Sequence, residues 1–75
     1  MAQPVTAILS HQGELAAKAR SFTKDANEAG LLVGRVVSRA LNTFRDGAAD
    51  DVIQHAMRSD LDRLIAQLRR AKQHH

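Results

Sequence analysis

Between Ala29 and Phe44 the apolar side chains at Ala29, Leu32, Val33, Val36, Val37, Ala40, Leu41 and Phe44 share one helical spacing. That spacing gathers them on one side of an α-helix, whereas a strand would scatter them over both of its faces. The stripe is wide enough to contact neighbours on two sides, so the segment reads as the central helix of a helical fold. A helix of this kind requires other apolar surfaces to bury it.

The flanking segments can supply them. From Val5, apolar or small residues recur at Ile8, Leu15, Ala19 and Phe22, which predicts a first helix over 5–22. Pro4 suits its first turn, Glu14 and Lys18 are spaced as an i,i+4 ion pair, and Gln12 and Gly13 weaken its middle. Thr23 is placed to cap a second helix over 24–45, with Asp25 and Glu28 putting negative charge in its first turn. Asp46-Gly47 then supplies a stop, because glycine enters the left-handed region without a Cβ clash. Beyond it, Asp50 and Asp51 precede a third apolar series, Val52, Ile53, Ala56, Met57, Leu61, Leu64, Ile65 and Leu68, and Arg69, Arg70 and Lys72 follow. A third helix is expected over 49–72, with its acids and bases placed as the backbone dipole favours.

No strand pattern, internal repeat or low-complexity stretch interrupts this series. The expectation is a single all-α domain over residues 1–75. It is either a three-helix bundle or a long helical hairpin of the second and third helices preceded by an N-terminal helix. Seventy-five residues build only a marginal core, so contact with another copy or another protein is expected.

Composition narrows the function. Without cysteine there is neither a disulfide scaffold nor a thiolate metal site. No run of about 18 apolar residues is present, since Arg35 interrupts the richest stretch. Met-Ala-Gln-Pro-Val-Thr does not open like a secretory signal, and a cytoplasmic location is expected. The net charge of +3 comes from 11 basic and 8 acidic residues mixed along the chain, a mild bias and not a nucleic-acid signature. Phe22 and Phe44, the only aromatic residues, lie on apolar faces and offer no stacking platform for bases.

Nothing points to catalysis. No elbow exposes a serine, no glycine-rich phosphate loop occurs, and Asp50 with Asp51, or Asp60 with Asp62, read as helix-start and surface charges. A chain this small also has little room for a water-excluding pocket. His11 and His55 lack companions at ligand spacing, and Asp51 one turn before His55 reads as a helix-start pairing. His74 and His75 at the chain end are set aside as a potential tag remnant. No enzyme activity, cofactor or metal is expected.

The remaining candidates lie on the central helix. Ala26, Gly30, Gly34 and Ser38 recur every fourth residue as a ridge of small side chains, over which another backbone can approach closely. Each helix-interior glycine costs about 1 kcal/mol relative to alanine, which suggests that the close approach is used, either within the chain or by a partner helix. The candidate partner-binding residues are Gly30, Leu31, Gly34, Arg35, Val37, Ser38 and Leu41. Gly30 and Gly34 could also centre a symmetric dimer. Arg35, Arg39 and Arg45 form a basic edge that is either a solvated face or a phosphate contact of a small DNA-binding regulator.

Ala19-Arg20, Phe22-Thr23, Asp25, Glu28-Ala29, Leu32-Val33 and Arg39-Ala40-Leu41, with Phe44 after them, also follow a known pattern. Over about residues 10–45 the chain resembles the core-binding domain (region 2) of extracytoplasmic-function sigma factors, in a shortened and degenerate form. The resemblance implies a helical bundle and a role in transcription. Where the family carries the Asp, Gln and Glu that contact the clamp helices of RNA polymerase, this chain has Leu31, Gly34 and Arg35. The family's aromatic promoter-melting segment is absent from Ala56-Met57-Arg58-Ser59-Asp60-Leu61, and a promoter-reading domain is not expected. The resemblance therefore implies a sigma-like interaction module that regulates transcription through a partner such as an anti-sigma factor, without initiating transcription itself.

Overall fold

In the computed structural model, which describes residues 4–73, the helices follow in the order α1 (Pro4–Ser10), α2 (Gln12–Phe22), α3 (Ala26–Thr43) and α4 (Asp50–Gln73). The fold is all-α, with no strand among the described residues. Each helix touches the other three, so the arrangement is a closed bundle, not an extended hairpin. It forms a rod of 47 × 19 × 16 Å.

The expected first helix over 5–22 is broken at His11, giving α1 and α2. The hydroxyl of Ser10 donates to the carbonyl of Ala7 at 2.6 Å, and the His11 amide turns to the carbonyl of Ile8 at 3.2 Å. A serine side chain competing for a backbone acceptor tightens the turn locally, and Gly13 just beyond does little to resist it. Both pieces still bury their apolar side, with Ala7, Ile8, Leu15 and Ala19 in the core.

The cap of α3 also differs from the sequence expectation. Asp25, not Thr23, is the N-cap, its carboxylate accepting from the amides of Asn27 at 2.9 Å and Glu28 at 3.4 Å. Thr23 instead terminates α2, its amide bonded to the carbonyl of Ala19, while its hydroxyl accepts from the Asp25 amide. The shift moves the start of the central helix from 24 to Ala26. At its other end Gly47 takes a φ of 96°, the left-handed conformation expected there, and the chain reverses into α4.

The core is built from all four helices: Ile8 of α1, Leu15 and Ala19 of α2, Ala29, Leu32, Val33, Val36 and Ala40 of α3, and Ile53, Met57, Leu61 and Ile65 of α4. Phe22, Phe44, Leu64 and Leu68 are half-buried against it. Side-chain links then fix the register of α4. His11 meets Asp50 at 3.1 Å, Glu14 holds both Gln54 and Arg58, Lys18 pairs with Asp62, and the Arg69 guanidinium lies 5.6 Å from the centre of the Phe22 ring. Partner numbers rise together along both helices, so α2 and α4 run parallel, and α3 runs antiparallel to both.

The local Glu14–Lys18 pairing expected from spacing gives way to these longer-range partners. The Arg58 guanidinium is the main reason that the Glu14 carboxyl sits below the usual glutamate range, against partial desolvation, and the Gln54 amide assists. The same hydrogen bond raises Arg58 above its ordinary value.

Candidate functional site: the outer face of α3

The period that turns Leu32, Val33, Val36 and Ala40 inward turns Asn27, Gly30, Leu31, Gly34, Arg35, Ser38, Leu41 and Asn42 to solvent, all of them exposed. Leu31 is 71% exposed and Leu41 37%. Val37 is the exception among the candidate residues, since it lies half-buried at the margin and packs on the core. The remaining candidates form one continuous strip along the helix.

The ridge of small residues makes no close contact within the chain. A Cβ added to Gly30 or to Gly34 would find nothing within 4 Å. Of the two uses expected for these glycines, intramolecular packing is therefore removed, because α1, α2 and α4 all pack on the opposite side of α3. Their cost in helix propensity is not offset inside the described fold.

The three arginines do not form a free basic row. Arg39 pairs with Asp60 of α4 at 3.4 Å, and the Asp60 side chain is only 14% exposed. Arg45 donates to the side-chain oxygen of Asn42 at 3.0 Å. Arg35 alone stands on the outer strip with no ion pair among the described residues. A phosphate-reading edge needs several donors aimed one way, and here one is tied to a neighbouring helix.

A groove of about 290 Å³ between α3 and α4 is lined by Arg39, Phe44, His55, Met57 and Asp60 among others, and none of the outer-strip residues borders it. His55 faces this groove, and no ion pair joins it to Asp51 among the described residues. No group of three His, Cys, Asp or Glu among the described residues could hold a metal ion. His74 and His75 lie outside the described residues. No described helix is long and apolar enough to cross a membrane.

Sequence reasoning did not find the Arg39–Asp60 link or the ladder joining α2 to α4. Their partners lie on different helices, and no local spacing signals which charges will meet. Comparison with known proteins adds no constraint, since no family model, curated protein or solved structure matches the chain.

Proposed function

We propose that this chain is a sigma-like interaction module that regulates transcription by docking on a regulatory protein, such as an anti-sigma factor, without itself initiating transcription. The observation that carries this reading is where the apolar positions that fit the sigma pattern and the positions that depart from it fall. Ala19, Ala29, Leu32, Val33 and Ala40 fit the pattern and are buried in the core, while Leu41, which also fits it, is 37% exposed on the outer strip. Leu31, Gly34 and Arg35, which depart from it, are exposed on one strip of α3. Changes confined to a surface leave the scaffold standing and alter what can bind it.

The chemistry of the strip fits a protein partner. An exposed leucine beside two glycines suits an apolar knob from a helix that approaches closely. Arg35 at its edge favours an acidic group on that partner and sets orientation more than affinity. The same charge disfavours a surface that would accept the family's acidic residues.

Affinity capture from the source cell, read by mass spectrometry, tests the proposal. A helical regulator is expected with the wild-type chain and is expected to be lost with Leu31→Lys, while core polymerase subunits stay at background. Polymerase as the main captured partner overturns the reading, and so does capture of a regulator that is indifferent to Leu31.

A further inference from the structure

We infer, building on the docking role proposed for α3, that a second copy of this chain occupies the same strip when no regulator is bound, with the two α3 helices antiparallel. The spacing supports this first. Asn27, Leu31, Gly34, Ser38 and Leu41, with Arg45 just beyond the helix, alternate steps of four and three and are all exposed. The positions have the spacing of a coiled-coil seam on the side of α3 away from the core, with Leu31 and Leu41 as its two large apolar members.

The residue types along the seam supply the second support. About the level of Val36 the two leucines, Leu31 and Leu41, are symmetry-related, and so are the two small residues, Gly34 and Ser38. In an antiparallel pair centred at Val36, Leu31 of each copy meets Leu41 of the other, and Gly34 meets Ser38. A two-fold interface requires this reciprocity, in which a residue meets its counterpart and the counterpart meets it. Two leucine layers then flank a centre of small side chains where the backbones can come close.

Charge follows the same register. Within the segment from Asp25 to Arg45 the acids, Asp25 and Glu28, lie near the N-terminal end, and the bases, Arg35, Arg39 and Arg45, lie in the C-terminal half. Antiparallel pairing brings Arg45 of one copy alongside the stretch between Asp25 and Glu28 of the other. Arg35 lies next to the two-fold axis and so beside its own copy, a like-charge contact that opposes pairing. From Asn27 to Arg45 the seam is about 28 Å long at 1.5 Å per residue. A strip one helix wide is small beside specific interfaces, which bury about 800 Å² per partner. The pair is therefore weak and reversible, and a regulator docking on α3 competes with it.

Sedimentation equilibrium on the full chain over a wide concentration range tests the pairing. A reversible monomer–dimer equilibrium is expected, with dimer lost in Leu31→Lys while the helical circular dichroism is unchanged. Arg35→Ala is expected to tighten the dimer several-fold by removing the like charge at the axis. A wild-type chain that stays monomeric at every concentration, or a dimer indifferent to Leu31, overturns the inference. An unchanged or weaker dimer in Arg35→Ala overturns the antiparallel register. The docking role is judged separately by the capture experiment: a strict monomer that still captures a regulator defeats the pairing alone, and a dimer that captures none defeats the docking role alone.

Discussion

Replacing both Gly30 and Gly34 by alanine is expected to stabilise the isolated protein. Both residues lie inside α3, and the position of a Cβ at either one is open to at least 4 Å in every direction outside the helix's own backbone. The packing term is therefore close to zero, and what remains is backbone propensity. Alanine is favoured over glycine in a helix interior by about 0.8–1.0 kcal/mol, so the double variant is expected to gain about 2 kcal/mol. For a domain of this size 1 kcal/mol moves the thermal midpoint by about 4–8 °C, which puts the expected rise at about 10 °C. Urea and thermal denaturation followed by circular dichroism read the gain directly, at dilute protein so that self-association does not contribute. A double variant no more stable than wild type would refute the reasoning. It would mean that the glycines already touch something within the folded chain.

Two further perturbations follow from the core and from the ladder between α2 and α4. Leu61 is fully buried at the centre of α4, and Leu61→Ala is expected to cost about 3 kcal/mol, much of the stability of so small a domain; a shift of under 1 kcal/mol in the urea midpoint would place Leu61 outside the cooperative core. Glu14 has its folded-state pKa lowered by Arg58, so its contribution to stability is present above the ordinary glutamate range and is lost as pH falls through the folded value. Wild type is thus expected to exceed Glu14→Gln in urea midpoint at about pH 7, with the gap shrinking as pH falls below the unperturbed glutamate value of about 4.3 and through the lower folded value. A gap that is constant across this range would show that the Glu14–Arg58 contact carries no proton linkage. Added salt should narrow the neutral-pH gap, since the pair is exposed.

The central helix was legible because the period that spaces its apolar residues is the one that tertiary packing uses. Leu32, Val33, Val36 and Ala40 are buried for the reason that made them visible, and the same geometry puts Leu31, Gly34 and Arg35 outside. The break at His11 was not legible, because it depends on one hydroxyl, that of Ser10, winning a carbonyl from the backbone. Thr23 and Asp25 are both good capping residues two positions apart, and only the path of the chain decides that Thr23 closes α2 while Asp25 opens α3. Glu14 and Lys18 had each other at helical spacing, yet both turn to α4, where Arg58 and Asp62 are brought by the shared core that buries Leu15 and Ala19 of α2 together with Leu61 of α4. Charged side chains choose partners after the apolar faces have chosen theirs. Within the candidate strip the same rule accounts for Val37, whose position at the margin lets it lean on the core.

The ladder from His11–Asp50 to Phe22–Arg69 has a consequence for how the chain folds. Its links join residues separated by 39, 40 and 44 positions along the sequence. α1, α2 and α3 can meet early through short connections, whereas the α2–α4 contacts must wait for the long loop between them to close. During that interval the side of α2 that faces α4 is uncovered. The slowest-forming contacts are thus those between α2 and α4, and the bundle's exposure to wrong neighbours is set by how quickly the turn at Gly47 brings α4 home.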